Sequence, residues 1–413
     1  MRITDIVAAL GALASVVNAS PAHHRRGKPS DFVTVEGTHF ALHGKPFYFA
    51  GANTYYLFYA QPSDVDADFA ALNSIDGLVL RTWAWSEGEQ GMSTGVWYQN
   101  YNASAGGIVY NDSPQNGLGR LDYVIDSARR HNVKLILTLT GNWVAFGGID
   151  WYNQVFNSTY HDDFYTKPAI QEAYKNWMSH ILNHKSSITG IVLKDDPTIM
   201  AFELANEPRC GGSQVNNTLL ASPSCGPATI TNWVKIMSAY FKSIDKNHLL
   251  AVGDEGFFNH PNGPSYTGTY SNIWDGTAGT DFEAFTATPD IDFGSVHSYM
   301  DSWNTPHDPQ WLNNTLTWIA EHVQVANKIG KPVVLGEWGT TNKTMRLSDM
   351  PVINKEIESS GMAGDLYWML ADMYNGSFYP DYDGYTIYAN DTNIKTLVTD
   401  HAKIMSSRNK GRR

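Results

Sequence analysis

Short apolar runs of strand length alternate along the chain with segments whose apolar residues recur at helical spacing. Runs rich in β-branched and aromatic residues predict strands, and continuous apolar runs are typical of parallel strands buried on both faces. The intervening segments, with apolar residues three and four positions apart, predict amphipathic helices. The predicted strands are residues 47–53, 77–85, 134–140, 199–207, 248–253, 292–299, 332–337 and 364–369. The predicted helices are residues 63–73, 118–132, 169–184, 228–244, 311–327, 352–359 and 394–404.

This alternation predicts βαβ units and hence a parallel sheet of the α/β class. Eight such strands favour closure into a (β/α)8 TIM barrel, a fold that reaches 413 residues when its loops carry insertions. A β-hairpin over 32–43 and a polar, glycine-rich insertion over 86–117 are expected outside the repeat. The chain shows no internal repeat or interdomain linker, so we expect one barrel domain over 31–407 and a basic tail at 408–413.

Two of the predicted strands end in a glutamate. The run 199–207 stops at an Asn-Glu-Pro sequence that contains Glu207, and the proline should end strand pairing because it cannot donate to the ladder. The run 332–337 ends at Glu337. The carboxyl ends of barrel strands carry the chemistry of this fold, and glycoside hydrolysis needs at least two carboxylates. One glutamate alone is better explained as a solvated strand-end charge, whereas the pair favours a catalytic barrel.

Composition narrows the choice of partner. Hydrophobic residues make up 42% of the chain and charged residues 17%, as in a globular protein, while aromatic residues reach 13%. Aromatic planes suit the C–H faces of sugar rings, so this excess fits a carbohydrate-binding cleft as well as a core. The formal net charge of −12 argues against nucleic acid as a partner.

The N-terminus has the features of a secretory signal. Residues 1–19 combine an early arginine, an apolar run and a cleavage site after Ala19, and residues 20–30 are expected to be a short propeptide or a flexible N-terminus. The apolar run is too short to span a bilayer, so we expect an extracellular protein without a membrane segment. Secretion favours a disulfide between Cys210 and Cys225, the one possible pair. Eight Asn-X-Ser/Thr sequons within residues 31–407 fit a secreted glycoprotein.

Several predicted strand ends carry polar or aromatic residues in a fixed order. They are Arg81 on the second strand, Asn206-Glu207-Pro208 on the fourth, His297-x-Tyr299 on the sixth, Glu337 on the seventh and Trp368 on the eighth. Together these residues resemble glycoside hydrolase family five, a family of retaining (β/α)8 enzymes. Longer strings around Asp196, Arg209 and Glu255 look like the fungal endo-β-1,4-mannanase branch of that family. The similarity runs from about residue 32 to the last predicted helix.

The resemblance implies that Glu337 is the nucleophile and Glu207 the acid/base residue. A retaining enzyme holds these two carboxyl groups ~5–5.5 Å apart. Glu337 must stay ionised, and Arg81 is the natural group to lower its pKa because guanidinium binds carboxylate in a fork and stays protonated. Tyr299 could donate to the same carboxylate. His297 should face the same side as Tyr299, since residues two apart on a strand point the same way; a satisfied interior histidine is the alternative.

Further assignments by resemblance concern the sugar. Asn206 corresponds to the residue that binds the 2-hydroxyl of the sugar being cleaved, and Trp368 to the floor beneath that sugar. Arg209 matches an arginine on the leaving-group side, and Trp143 a cleft tryptophan on the nonreducing side. Glu255, at the end of the fifth predicted strand, is expected to line the cleft. The resemblance implies no cofactor and no metal, and we expect a monomer that binds a mannan-type polysaccharide.

Two local questions arise on the fourth strand. Asn206 and Glu207 are adjacent, so strict alternation would send them to opposite faces, and the strand must break or bulge at 206 for both to reach the cleft. Glu203 points to the same face as Glu207 and is its main rival. Because it lies deeper in the strand, we expect Glu203 to be a hydrogen-bonded group of the barrel interior.

The sequence therefore predicts a secreted endo-β-1,4-mannanase that cleaves mannan, galactomannan and glucomannan by double displacement. Asn142-Trp143 follows the third strand where many cellulase relatives carry a histidine, and this difference favours mannan. The near alternative is another family-five β-glycanase, such as an endo-β-1,4-glucanase or an exo-β-1,3-glucanase. A carbohydrate-binding barrel without catalysis is disfavoured, because binding alone does not require this set of ionisable residues.

Overall fold

Eight parallel strands form the centre of the molecule. The computed structural model describes residues 31–212, 219–261, 271–303 and 309–410; the expected signal peptide and propeptide (1–30) and residues 411–413 of the expected tail lie outside the described residues. The strands are β1 (Phe49–Asn53), β2 (Val79–Trp83), β3 (Lys134–Thr138), β4 (Ile199–Glu203), β5 (Leu249–Ala251), β6 (Gly294–Ser298), β7 (Val333–Trp338) and β8 (Gly364–Tyr367).

The strand order is β5–β4–β3–β2–β1–β8–β7–β6, and every neighbouring pair is parallel. The two end strands also meet, because Asp292 N–H donates to the Leu250 carbonyl at 2.8 Å and His297 N–H donates to the Glu255 carbonyl at 3.1 Å. These bonds close the sheet, so the predicted (β/α)8 barrel is confirmed. Since all strands run the same way, their carboxyl ends open at one mouth.

A helix follows each barrel strand and covers the outside of the sheet. The helices are α1 (Pro62–Ser74), α2 (Leu118–Arg130), α3 (Pro168–Asn183), α4 (Pro227–Ile244), α5 (Phe282–Ala287), α6 (Trp311–Ile329), α7 (Arg346–Ser360) and α8 (Asp400–Ser407). Proline occupies the first turn of α1, α3 and α4, where its missing N–H has no partner within the helix.

Three helices differ from the prediction. Helix α8 begins at Asp400 rather than at residue 394, because the residues before it form a π-helical turn, Lys395–Thr399. Helix α5 was not predicted, because it has only 6 residues and too few turns to show a periodic pattern. Helix α7 begins at Arg346, whereas the prediction began it at residue 352. Pro351 lies inside this helix. Proline usually marks the first helical turn, so its position made the predicted helix too short.

The opposite end of the barrel is closed by a three-stranded antiparallel sheet, Thr34–Glu36, His39–Leu42 and Lys45–Phe47. The third strand includes Phe47, which was predicted to begin the first barrel strand. The observed sheet therefore has one strand more than the expected hairpin. Phe40 packs edge-to-face against Phe293, at 5.4 Å between ring centres, and belongs to a buried apolar cluster inside this end of the barrel. Because apolar rings fill this end, ionisable groups of the barrel interior gather at the mouth.

Smaller elements decorate the barrel. They are the strand pairs Gln99–Asn102 with Gly107–Tyr110, Leu370–Ala371 with Ile387–Tyr388 and Met373–Tyr374 with Ser377–Phe378, the short helices Gly88–Met92, Gly148–Val155 and Asp163–Thr166, and the helical turns Tyr55–Phe58, Leu193–Asp195, Ser271–Ile273, Lys395–Thr399 and Arg408–Lys410. Asn409, in the expected tail, donates to the Tyr48 carbonyl at 2.9 Å and ties this turn to the barrel. In the described part of the chain, no helix is long and apolar enough to cross a membrane.

Candidate active site

The end of β4 turns two adjacent side chains into the mouth of the barrel. Regular pairing stops at Glu203, earlier than the predicted end at residue 207. Beyond it, Asn206 N–H donates to the Thr140 carbonyl and Glu207 N–H to the Gly253 carbonyl, each at 2.8 Å. Glu207 has a φ of 53°, in the left-handed region that residues other than glycine rarely adopt. The predicted break in the strand is confirmed, and it lets both side chains face the cleft.

Arg81, at the centre of the mouth, is completely buried and contacts four side chains. Its Nη1 donates to Glu337 at 2.6 Å, and its Nη2 donates to the Asn206 oxygen at 2.7 Å. Its Nε donates to Glu203 at 2.8 Å, and Thr138 also donates to Glu203 at 2.7 Å. Glu203 is therefore a hydrogen-bonded interior group, as predicted. Burial disfavours the charge of Arg81, but Glu203 and Glu337 outweigh burial and raise the pKa of Arg81.

Glu337 receives donors on both carboxylate oxygens. Arg81 contacts Oε1, and the Tyr299 hydroxyl donates to Oε2 at 2.8 Å. The Nδ1 atom of His297 lies 3.6 Å from the same Oε2. Burial raises the pKa of Glu337, while His297, Arg81 and the Tyr299 hydroxyl oppose that shift. Direct contact with a guanidinium therefore favours the ionised form of Glu337.

Glu207 faces a different set of partners. Nδ1 of His297 lies 2.7 Å from its Oε1, and the indole N–H of Trp143 donates to its Oε2. Burial raises the pKa of Glu207, against the charges of Arg209 and Arg81 and the bond from Trp143. Burial also lowers the pKa of His297, whose ring lies beside both glutamates. Glu337 is bonded directly to a guanidinium, whereas the direct bonds of Glu207 involve an indole and an imidazole, so the contacts favour Glu207 as the carboxyl that holds a proton.

The two carboxyl groups lie close together. A carboxylate oxygen of Glu207, one of Glu337 and a ring nitrogen of His297 all lie within 4.8 Å of one another. Carboxylates and imidazole are donors that a divalent cation accepts, so these three residues have the composition of a metal site. However, Arg81 and Trp143 already direct N–H donors at the two carboxylates, and positive charge beside the site disfavours a cation.

A second ion pair extends the site away from Glu337. The Arg209 guanidinium binds the buried carboxylate of Glu255 with two N–H groups, Nε at 2.7 Å and Nη2. It also lies over the rings of Trp143 and Phe257, with its central carbon 5.3 and 4.9 Å from the ring centres. Burial raises the pKa of Glu255 to about 7, although Arg209 opposes the shift. A guanidinium held between two rings presents a fixed polar edge to the cleft.

The glutamates lie in a cleft of about 480 Å³. Trp368 lines this cleft and is held by a hydrogen bond from its indole N–H to Asp383 at 2.7 Å. All of the predicted site residues therefore meet at the mouth, either in the cleft wall or, as with Arg81 and His297, in direct contact with a glutamate. Trp143 lies beside Arg209, and both line the cleft next to Glu207.

Comparisons with known proteins agree with this geometry. The sequence matches the family described as GH family 5 beta-mannosidase-like over residues 30–369. The chain belongs to glycoside hydrolase family 5. A probable mannan endo-1,4-beta-mannosidase A of Aspergillus flavus is 35% identical to this family 5 protein over 398 residues, which are 96% of this chain and 94% of the relative. Mannan endo-1,4-beta-mannosidase A of Aspergillus aculeatus is 33% identical, over 99% of this chain and 100% of the relative.

A solved structure resembles the family 5 barrel closely. The endo-1,4-beta-mannanase from Rhizomucor miehei superimposes with a TM-score of 0.84 and 40% sequence identity, covering 91% of this chain and 99% of that one. The endo-1,4-beta-D-mannanase from Thermotoga petrophila gives a TM-score of 0.78 and 34% identity, covering 87% of this chain and 100% of that one. The predicted family resemblance is confirmed.

Sequence reasoning missed several cleft residues of this family 5 site. They are Trp83, Ser302, Trp303, Asp383 and Tyr385. Trp83 carried a usable signal, since it lies two residues after Arg81 on the same predicted strand and so faces the same way. The others lie in loops, where no periodic pattern points to a cleft. The Tyr385 hydroxyl donates to Ser302 at 2.9 Å, a contact between two loops that only the fold brings together.

The loop after β4 carries the predicted disulfide. Cys210 and Cys225 are bonded, with their Cα atoms 5.8 Å apart. Cys210 N–H also donates to the Ala278 carbonyl at 2.9 Å. Because Cys210 directly follows Arg209, the disulfide limits the freedom of the segment that carries this cleft residue.

Proposed function

We propose that this protein is a retaining endo-β-1,4-mannanase that hydrolyses internal bonds of mannan, galactomannan and glucomannan. The observation that carries the proposal is the approach of Glu207 and Glu337 to within 4.8 Å in the mouth of the barrel. Retaining glycosidases hold their carboxyl groups ~5–5.5 Å apart, whereas inverting enzymes leave about 6.5–9.5 Å for a water molecule. The separation therefore supports double displacement.

In the first step, Glu337 attacks the anomeric carbon and Glu207 gives its proton to the departing glycosidic oxygen. The C–O bond to the leaving sugar breaks as a covalent glycosyl ester forms on Glu337. Arg81 and Tyr299 support the ionised form of Glu337 before the attack. Glu207 is bonded to Trp143 and His297 rather than to a guanidinium, and these contacts support its role as the proton donor.

In the second step, Glu207, now ionised, takes a proton from water while the water oxygen attacks the anomeric carbon. The ester bond breaks and Glu337 leaves as a carboxylate, which Arg81 again stabilises. Two inversions give net retention of configuration. The indole of Trp143 donates to Glu207 and the Nδ1 atom of His297 lies 2.7 Å from it, so both residues hold its carboxyl in place.

The remaining cleft residues are assigned by position. Asn206 accepts from Arg81 through its oxygen, so its amide N–H groups are free to donate to a sugar hydroxyl. Trp368 is assigned to the floor under the sugar that is cleaved. Because Trp143 contacts the proposed proton donor and lies under Arg209, we place both on the leaving-group side, which differs from the nonreducing side predicted for Trp143.

Mannan is favoured over other β-glycans by the relatives, whose names specify mannan endo-1,4-β-mannosidases over nearly the whole chain. The test is release of reducing sugar from mannan, galactomannan and carboxymethylcellulose in parallel, at matched enzyme concentration. We expect fast hydrolysis of the two mannans and a rapid fall in viscosity, as internal cleavage requires. Faster hydrolysis of carboxymethylcellulose would contradict the mannanase assignment and favour the glucanase alternative.

Secretion and a monomeric state belong to the same proposal. The Cys210–Cys225 disulfide fits an oxidising compartment. N-terminal sequencing of the protein from culture medium should find a start after Ala19 or within residues 20–30. Light scattering should give the mass of one chain; a stable dimer would contradict the proposed monomer.

A further inference from the structure

Asn142, which has no part in the proposed reaction, lies at the centre of a buried polar cluster beside the active site. Asn142, Asp150 and His161 are each at most 1% exposed. Asn142 follows β3, while Asp150 and His161 belong to the long connection between β3 and α3. Buried polar groups of this kind need partners, and the partners show what the cluster holds in place.

His161 links the other two residues. Its Nδ1 lies 2.8 Å from Asp150 Oδ1, and its Nε2 lies 2.9 Å from Asn142 Oδ1. The amide nitrogen of Asn142 donates to the Gly211 carbonyl at 3.3 Å, which leaves its oxygen pointing towards His161. Both ring nitrogens of His161 therefore face oxygen acceptors, and the orientation of Asn142 is fixed from two directions.

Asn142 in turn holds the main chain on both sides of Glu207. Its N–H donates to the Asn206 carbonyl at 2.9 Å, and its side-chain oxygen accepts the N–H of Arg209 at 3.1 Å. Between these two points Glu207 has its φ of 53°. A non-glycine residue keeps such a conformation only where its surroundings hold it there.

The same cluster anchors the far part of the loop after β4. Asp150 Oδ2 accepts the N–H of Leu219 at 3.1 Å, and His161 N–H donates to the Leu220 carbonyl at 2.9 Å. Arg209 is therefore attached to the barrel through Asn142, while its guanidinium reaches over Trp143 to Glu255. A shift of Asn142 would move this guanidinium directly.

We propose that His161 and Asp150 are positioning residues that act through Asn142 to fix Arg209 on the leaving-group side of the cleft. The inference rests on the proposed function, because it assigns a role in binding the leaving part of the chain. A cluster that only stabilised the fold would lower the melting temperature without changing the preference among substrates. A positioning cluster changes the preference in the same way as a change at Arg209 itself.

The test compares His161→Gln with Arg209→Lys. Glutamine can reach Asp150 or Asn142 but not both, and lysine keeps the charge of Arg209 without its two parallel N–H bonds. For both variants we expect kcat/KM on a mannohexaose to fall roughly tenfold, mainly through KM, as for one misplaced charged hydrogen bond. On an aryl β-mannobioside, which has no sugar on the leaving side, kcat/KM of both variants should fall by a clearly smaller factor, so that the ratio of the two substrates changes. The double variant should be no worse than Arg209→Lys, because residues acting through one another are not additive.

Asp162→Asn is the matched control. Asp162 is 4% exposed and accepts the N–H and the hydroxyl of Ser222, both at 2.6 Å, in the same loop. This variant should lower the melting temperature and leave the ratio of the two substrates unchanged. If His161→Gln is too unstable to assay, Asn142→Ser carries the same expectation, since it removes the acceptor of the Arg209 N–H and keeps the His161–Asp150 contact.

Equal losses on both substrates, additivity with Arg209→Lys, or a profile like that of Asp162→Asn would overturn the positioning role. These outcomes differ from failure of the proposed function. A wild-type protein that does not hydrolyse mannan would refute the function, whereas an active wild type with an unchanged His161→Gln profile would refute this inference alone.

Discussion

Glu337 and Glu207 lie close together, but different parts of the molecule hold them. The contacts of Glu337 come from the barrel: Arg81 lies on β2 and Tyr299 directly follows β6. Glu207 has a partner from β6 in His297, but its other direct bond comes from Trp143, in the loop after β3. The environment of Glu337 is thus set by strand register, and that of Glu207 depends also on loop packing.

The two environments also differ in charge. Glu337 touches a buried guanidinium, whose charge is permanent, while the groups bonded to Glu207 are an indole and an imidazole. A nucleophile must remain ionised in every turnover, whereas an acid/base residue must lose and regain a proton. The barrel thus places a permanent charge beside the residue that must stay ionised, whereas an indole and an imidazole hold the residue that titrates.

The largest effect is expected from Glu337→Gln. The amide cannot form the glycosyl ester, so kcat on mannan should fall by roughly 10⁴-fold or more, as when a covalent nucleophile is removed. Initial rates of reducing-sugar release measure this loss. Glu203→Gln is the matched control, since Glu203 also binds Arg81 from a strand but lies deeper in the barrel. If the two variants lost activity equally, Glu337 would not be distinguished as the nucleophile.

Arg81→Lys should have the next largest effect. Lysine cannot reproduce the fork of Arg81, so we expect kcat to fall by about 10²–10³, as when a preorganised electrostatic contact is removed. Arg81 lowers the pKa of Glu337 against burial, and its loss should therefore raise that pKa. The acidic limb of the kcat/KM profile should move to higher pH. Tyr299→Phe should move the limb in the same direction by less, and a shift to lower pH in either variant would contradict the account.

The difference between the two glutamates also explains what the sequence could reveal. Arg81, Glu337 and Tyr299 stand at the ends of regular strands, where a period of two and an apolar run predict which side chains meet. For the end of β4, the sequence predicts only that the strand must become irregular, because Asn206 and Glu207 are adjacent and both must reach the cleft. No local pattern predicts that the side chain of Glu207 meets the indole of Trp143, because that contact depends on how two loops pack.

The loops limited the prediction in the same way elsewhere. Asp383 and Tyr385 lie in the connection after β8 and reach the cleft through hydrogen bonds to Trp368 and Ser302. The polar cluster of Asn142 lies in the connection between β3 and α3, where no periodic pattern pairs side chains, so its histidine could not be matched to its partners in advance. Barrel closure and the strand-end residues followed from periodicity, whereas these contacts follow from tertiary packing.

A buried ionic group away from the mouth provides the smallest expected effect on activity. His401 lies between Glu358 and Asp365, each at 2.8 Å. Burial lowers the pKa of His401, but Asp365 and Glu358 outweigh burial and raise it to about 9. Because this value exceeds the ~6.5 of an unfolded chain, the charged His401 stabilises the fold fully below pH ~6.5, and the contribution is lost as pH rises through 9.

His401→Gln should therefore remove about 3 kcal/mol of pH-dependent stability while changing kcat by less than about twofold. Denaturant unfolding of the wild type and the variant between pH 6 and pH 10 measures the difference, which should shrink with rising pH. A difference that stays constant over this range would show that His401 is not a charged partner of these carboxylates. A large loss of kcat in His401→Gln would contradict the claim that only residues at the mouth of the barrel take part in the reaction.

The distinct roles of the two glutamates are tested most directly by the product that azide forms with Glu207→Ala. On mannan this variant should lose about 10²–10⁴ in rate, because the departing sugar needs a proton. On an aryl β-mannobioside with a good leaving group, the covalent intermediate should form on Glu337 and accumulate. Azide needs no general base and should rescue turnover, and NMR should identify a β-configured glycosyl azide. An α-configured azide from Glu207→Ala, or a β-configured azide from Glu337→Gln, would contradict the assignment.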